Sequence, residues 1–271
     1  MNALINITRH AKGLDENVKS RLHYFNLISI LVRRELKVKY RGTFLGYAWS
    51  MLNPLLTMLI ITIVFHHFNK GTPDYNLFVL SGILAWNLAS QTITLGTQAI
   101  VNAQGLLKKV KLPIWIFPMV PLGASATNFA LSLIPFTIFF IVSGRSISGS
   151  WYLFIPIFLI FTIFLCGISL CLSSLNVFFR DIGHTLEPVM SLFFYASPIV
   201  YDRTSGNLSE KTVFLLGLNP FTHFIEAMRA SLYGGEISGQ KFLLITGLAC
   251  LSMFFGFVTY KLSKDKILYR I

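Results

Sequence analysis

The sequence predicts an all-α integral membrane protein with six transmembrane helices, an N-terminal amphipathic interface helix and short re-entrant outer helices before the last span. Three observations carry this expectation. Of 271 residues, 54% are hydrophobic and only 13% are charged, against ~25% charged in an ordinary soluble domain. No Lys, Arg, Asp or Glu occurs in residues 42–69, 75–107, 112–144 or 146–179. Each stretch exceeds the ~20 apolar residues that carry a helix across a bilayer, and four of them cannot hide in the core of a chain this size. The third observation is that positive charge is sorted along the chain.

Spans are expected near 48–68, 76–101, 114–142, 152–179, 186–201 and 242–260. With the N-terminus inside, the cytoplasmic segments collect most of the basic residues. Arg9, Lys12, Lys19, Arg21, Arg33, Arg34, Lys37, Lys39 and Arg41 precede the first span; Lys108, Lys109 and Lys111 follow the second; Lys261, Lys264, Lys266 and Arg270 follow the last. The outer segments are nearly charge-balanced. This positive-inside bias puts both termini in the cytoplasm. The net charge of +12 is therefore a topology signal, and no aromatic-basic module points to nucleic acid. The expected organisation is a cytoplasmic region at 1–43, a transmembrane domain at 44–260 and a basic tail at 261–271. Residues 1–40 lack the apolar core of a cleavable signal peptide. Cys166, Cys171 and Cys250 fall inside spans and read as small packing residues rather than a disulfide or metal site.

Tyr24 to Arg41 reads as an amphipathic helix. Phe25, Ile28, Val32 and Leu36 form its apolar stripe, while Arg33, Arg34, Lys37 and Arg41 fall together on another face, into which Ile30 intrudes. Such a helix lies in the inner headgroup layer with its cations toward phosphates. It serves as a topology anchor, or grips an anionic substrate head or a partner subunit. Asn53-Pro54 kinks the first span about one turn in, which calls for neighbouring helices to satisfy the freed backbone. The second span is apolar from Leu77 to Leu88, with Trp86, and then polar: Gln91, Thr92, Thr94, Thr97, Gln98 and Asn102. Gln91, Thr94 and Gln98 share a face, as interhelical glue or a wet path.

From Gly105 to Pro113 the hydrophobicity breaks. Lys108, Lys109 and Lys111 accompany Leu106, Leu107 and Val110 in a short connection. Exposed apolar anchors within a basic rim suit a protein contact. The fifth span, 186–201, is short; Glu187-Pro188 opens it, Ser197-Pro198 closes it, and Phe193, Phe194 and Tyr195 mark its middle. Residues 202–240 are too broken to span. Asn219 is an N-cap, Pro220 the first helical residue and Gly234-Gly235 the stop. Phe221, Ile225, Met228 and Leu232 form that helix's apolar stripe, with Glu226 and Arg229 off it. A helix dipping into the outer interface to line a vestibule fits this pattern.

Enzymatic signals are thin. No Gly precedes a Lys, so no phosphate-binding P-loop exists in the chain. The His66-His67 pair is adjacent rather than at helical ligand spacing and reads as an interface pair. Glu187 is the one carboxylate near membrane depth, which argues against ion-coupled transport. Aromatic residues make up 14% of the chain, with 25 Phe. Their flat faces suit the C–H faces of sugar rings without a fixed hydrogen-bond pattern. Trp49, Trp86, Phe193, Phe194 and Tyr195 are the expected channel-lining residues.

The run Arg33-Arg34-Glu35-Leu36-Lys37-Val38-Lys39-Tyr40-Arg41, then Leu45-Gly46-Tyr47-Ala48-Trp49 and Leu52-Asn53-Pro54, resembles the opening of the ABC export permeases for surface polysaccharides. Phe179-Arg180-Asp181-Ile182, Ser197-Pro198-Ile199-Val200-Tyr201 and Asn219-Pro220-Phe221 with Arg229 extend the resemblance, and Lys108 to Pro113 matches the family's coupling element. Ile114-Trp115 departs from it, since many relatives carry a charge after that proline. The resemblance implies a bacterial inner-membrane homodimer of permeases served by two ABC ATPase subunits, which would hold the ATP and magnesium; no cofactor is expected on this chain. Leu106, Leu107, Lys108, Lys109 and Lys111 would take the ATPase thrust, and Arg33, Arg34, Lys37 and Arg41 would meet the anionic head group. The cargo would be a polysaccharide on undecaprenyl diphosphate, O-antigen first, with teichoic acid, capsule, or a small lipid or drug as alternatives. A membrane-embedded acyltransferase is the reading from another class, and it lacks a catalytic His or carboxylate cluster.

Overall fold

The computed structural model describes residues 16–65, 74–110, 112–144, 149–203, 209–235 and 237–270. Among these residues the chain is helical, with no strand. The helices are α1 (Glu16–Lys39), α2 (Ala48–Phe65), α3 (Tyr75–Asn102), α4 (Gln104–Leu107), α5 (Ile116–Val142), α6 (Phe154–Asn176), α7 (Asp181–Tyr195), α8 (Glu210–Gly217), α9 (Pro220–Tyr233) and α10 (Gly239–Arg270). Five of them, α2, α3, α5, α6 and α10, are long and apolar enough to cross a membrane. The expected fifth span is shorter than that. Its helix, α7, has 15 residues, about 22 Å at 1.5 Å per residue.

The central element is α3, buried along most of its length, whereas α2 and α10 turn most of their side chains outward. This contrast follows the sequence. A span that is apolar on every side can sit in lipid or in a core, and the small residues Ser81, Gly82, Ala85, Ala89 and Gly96 let neighbours close in on α3. The tightest helix pair is α6 with α10. Gly256 lies against the backbone of Gly167, where no side chain fits between them. Ser252 Oγ donates across the same contact to the Phe164 carbonyl at 2.7 Å. In lipid, such close backbone approach substitutes for hydrophobic drive. The basic tail is no separate element: α10 runs on to Arg270 and buries Ile267 beside Ile100, Phe117 and Val177.

Contacts at both ends of α7 measure its reach. At its start, Asn176 Oδ1 accepts from the Gly183 amide at 3.0 Å, and Asn176 Nδ2 donates to the Thr97 carbonyl at 3.1 Å. Beyond its end, the Val200 carbonyl accepts from Tyr75 Oη at 2.7 Å. Thr97 and Tyr75 are separated by about 33 Å of α3. Helix α7 with its extension, 196–200, therefore runs antiparallel to α3 over a length comparable with the hydrocarbon layer, ~30 Å.

That extension is irregular, and side chains from α3 and α9 hold it. Asn219 Nδ2 donates to the Ala196 carbonyl at 3.2 Å and to Ser197 Oγ at 2.9 Å, while Asn219 Oδ1 caps α9 by accepting from the Phe221 amide at 3.0 Å. Arg229 Nη2 donates to the Ile199 carbonyl at 3.4 Å and Nε to Ser81 Oγ at 3.3 Å. The guanidinium lies 3.6 Å from the centre of the Phe78 ring, a cation–π contact. Gly82 makes this approach possible, because a Cβ there would stand 2.7 Å from Arg229 Nη2.

Phe221, Ile225, Met228 and Leu232 are buried as the stripe predicts. Arg229, expected off the stripe, is only 8% exposed. Helix α9 packs against α3, α6 and α10, so its polar side also faces protein. The neighbouring α8 leaves Phe214 and Leu215 exposed.

Two substitutions test these contacts. Gly256→Ala should cost about 1–3 kcal/mol of stability through overpacking, while Gly247→Ala, on the same helix with open space around it, should be neutral in detergent melting curves. Arg229→Met should lower the melting temperature and expose a cysteine placed at Val200 to thiol reagents. The Ile199 carbonyl would lose a donor, worth about 1–3 kcal/mol when buried.

Candidate functional site

Four surfaces collect the residues singled out in the sequence. The first is the basic face of α1. Arg33, Arg34, Lys37, Val38 and Arg41 line one open groove of about 500 Å³, and the four cations are exposed. The groove faces away from the bundle because the opposite side of α1 packs on α5: Tyr24 meets Trp115 at 5.9 Å between ring centres, Val32 touches Gly123, and Leu36 is buried. Phe25, expected in the apolar stripe, is exposed instead. Ile114 is buried and Trp115 packs on α1; these are the residues standing where a charge was expected.

The second surface surrounds α4. Leu106 and Leu107, expected as exposed anchors, are half-buried against the cluster of Ile100, Ile114, Phe117, Val177 and Ile267. Only Val110 of the three apolar side chains is exposed, beside exposed Lys108 and Lys109. The leucines turn inward because α5, α6 and α10 all bring apolar residues to this end of the bundle. Arg270 lies over the Phe178 ring at 5.5 Å, so the α10 terminus belongs to the same end. Lys111 and the His66-His67 pair lie outside the described residues.

The third is a groove of about 220 Å³ lined by Trp86, Ser90, Thr94, Glu187, Met190, Ser191, Phe194 and Tyr195. Three of the five expected aromatics meet here. Phe193, Phe194 and Tyr195 sit in the last turn of α7 rather than its middle. Phe194 stacks edge-on against Trp86 at 5.6 Å, Phe193 turns inward onto Phe221 at 5.3 Å, and Tyr195 is 75% exposed. Trp49 stands apart on α2. Glu187 is exposed along the groove.

The fourth surface is a polar cleft where α1 meets α2, α3 and α5. Lys39, Tyr40, Asn53, Asn87, Gln91, Ser125 and Asn128 are among its lining residues. Burial lowers the Lys39 pKa from its ordinary value against an opposing pull from Glu35, and burial raises that of Tyr40. Sequence reading passed over this set because its members come from four elements. The i, i+3, i+7 face of Gln91 was the signal available, and Lys39 was hidden among the surrounding cations of α1.

Among the described residues no group of three or more His, Cys, Asp or Glu is placed to hold a metal. Cys166, Cys171 and Cys250 are free thiols.

Comparison with known proteins agrees with this architecture. The chain is 31% identical over 237 residues to the O-antigen export system permease protein RfbA of Myxococcus xanthus, covering 87% of this chain and 90% of that protein. A permease of the same name from Klebsiella pneumoniae is 32% identical over 230 residues, covering 83% of this chain and 88% of its own length. The polysialic acid transport protein KpsM of Escherichia coli is 21% identical over 253 residues, covering 89% and 95%. These relatives are membrane subunits of transporters rather than enzymes. The profile of the ABC-2 type transporter matches residues 26–233, a stretch that runs from within α1 to the end of α9, and the chain belongs to that family.

Proposed function

We propose that this chain is the transmembrane conduit of an ATP-driven exporter that carries a lipid-linked polysaccharide, O-antigen first, out of the cytoplasm across the bacterial inner membrane. The observation that carries the reading is its likeness, at 31% identity over most of both chains, to permeases named for O-antigen export. Capsule polysaccharide is the second reading, favoured by the more distant likeness to proteins named for polysialic acid transport and capsule export.

In this reading α7 with 196–200 is the fifth crossing in chain order and brings the total to six. It covers the same ~33 Å of α3 that separates Thr97 from Tyr75, and its irregular end is satisfied by protein donors, as a broken span requires. Six crossings return the chain to the side on which it began. Lys108, Lys109, Arg180, Lys261, Lys264 and Arg270 then share the cytoplasmic end, and α1 lies at the inner headgroup layer. The polar second half of α3, from Gln91 onward, then starts within the inner part of the crossing and continues to the inner membrane surface, where polar side chains face other helices or water.

Two copies of this chain would work with two ATPase subunits, which carry the ATP and magnesium. Lys108 and Lys109, with Lys111, would meet acidic residues of the ATPase. Because Leu106 and Leu107 are rooted among Phe117, Val177 and Ile267, a push on α4 moves α3, α5, α6 and α10 together. A loose loop would absorb the push. The exposed cations Arg33, Arg34, Lys37 and Arg41 would draw the diphosphate of the undecaprenyl-linked cargo or an acidic ATPase surface. The Trp86–Phe194–Tyr195 groove, facing a second copy, would offer sugars ring faces that hold no single register.

In a strain dependent on this gene, Arg33→Glu combined with Lys37→Glu should abolish surface glycan and leave lipid-linked polymer inside the cell, seen by glycan blotting of whole and lysed cells. Normal surface glycan in that strain counts against the basic groove, and normal glycan after gene deletion counts against export itself. At the conduit, Tyr195→Ser should slow export with an unchanged melting temperature, while Phe193→Ser should lower the melting temperature through its lost contact with Phe221.

A further inference from the structure

The cleft between α1, α2, α3 and α5 has an imbalance of hydrogen-bonding groups. Gln91 Oε1 accepts from Lys39 Nζ at 3.0 Å and from Asn128 Nδ2 at 3.3 Å. Asn128 Oδ1 accepts from Tyr40 Oη at 3.0 Å. These bonds occupy the carbonyl oxygens of both amides and orient their nitrogens. The Gln91 Nε2 hydrogens, and the amides of Asn53 and Asn87, make no hydrogen bond with a described residue. Ser125, only 2% exposed, has its hydroxyl in the cleft without a partner. No Asp or Glu lines the space, and the nearest carboxylate acting on Lys39 is that of Glu35 on α1. Ser125 is the fully buried member of this set, and a buried polar group without a partner is costly. Asn87 and Gln91 are half-buried, Lys39 and Asn53 stand at the exposed mouth, and the surplus is in donors around one cation.

Size narrows the ligand. The cleft holds about 40 Å³, and one water-sized group needs roughly 10–15 Å³. Three or so oxygens fit, which matches one phosphoryl group and excludes a sugar ring. Charge points the same way, because ammonium and amide N–H donors converging on one space suit an oxyanion.

We infer that this cleft is a binding site for a phosphoryl oxyanion, with Lys39 as the charge partner and Asn87, Gln91 and Ser125 as hydrogen-bond donors. The surplus of donors stands without the export reading; the placement of the cleft toward the inner side of the membrane rests on it. The site differs from the open basic groove of α1. Lys39 projects from the opposite side of that helix from Lys37 and, though its side chain is exposed like those of the groove cations, its ammonium is bonded to Gln91.

The test uses the full-length protein purified in detergent, with bound molecules counted by native mass spectrometry. The probes are phosphatidylglycerol, farnesyl diphosphate and inorganic phosphate. Lys39→Met and Asn87→Leu should each weaken binding about tenfold, equivalent to about 1.4 kcal/mol, while Lys264→Ala should leave it unchanged. Loss confined to the two lipid probes identifies a headgroup as the source of the phosphoryl group, and parallel loss of inorganic phosphate identifies the free anion; either supports the site. Absence of binding by the unaltered protein, equal loss in Lys264→Ala, or binding untouched by Asn87→Leu overturns it. Asn87 makes no bond to the rest of the fold, so its variant keeps the test decisive if Lys39→Met fails to assemble. Loss of export with binding intact would instead be a failure of the export reading.

Discussion

A break in a helix frees backbone carbonyls, and after Tyr195 the donors that meet them are supplied by the protein itself. Tyr75, Asn219 and Arg229 supply them, to the carbonyls of Val200, Ala196 and Ile199. This set of bonds joins α3, α7 and α9 at one end of the bundle. It also explains how an arginine off the apolar stripe of α9 is buried. The guanidinium presents several N–H groups in a fixed fork, so one side chain reaches a backbone carbonyl, a serine hydroxyl and an aromatic face together.

The opposite end is organised differently. Ile100, Ile114, Phe117, Val177 and Ile267 come from α3, the loop before α5, α5, the end of α6 and α10. The short helix α4 rests its two leucines on that cluster and leaves its lysines outside. One end of the bundle is thus held by directional hydrogen bonds, and the other by apolar packing beneath a basic rim. Packed side chains transmit displacement among rigid elements, while directional bonds fix a position.

Much of this was legible from residue order. The four uncharged stretches marked α2, α3, α5 and α6, and the Asn219, Pro220 and Gly234 signals bounded α9 to the residue. The basic face of α1 was legible because its members repeat at helical spacing. The polar cleft was not, since Lys39, Asn87, Gln91, Ser125 and Asn128 become neighbours only when three helices close on the end of α1. The aromatic triplet was only half legible. Helical rotation sends Phe193 into the core, Phe194 onto Trp86 and Tyr195 outward, and sequence proximity hides that divergence.

Composition and spacing alone determined that this chain lives in a membrane as helices, where most of them run, and which end carries the positive charge. Those properties depend on local sums, the hydropathy of twenty residues or the charge of a short loop, and need no knowledge of neighbours. Tertiary structure decided which polar groups are paired, which aromatics face outward, and that Arg229 belongs to the interior. Those outcomes depend on distances between residues as much as 148 apart in sequence, as in the bond from Arg229 to Ser81, and helix packing sets such distances where no local pattern can.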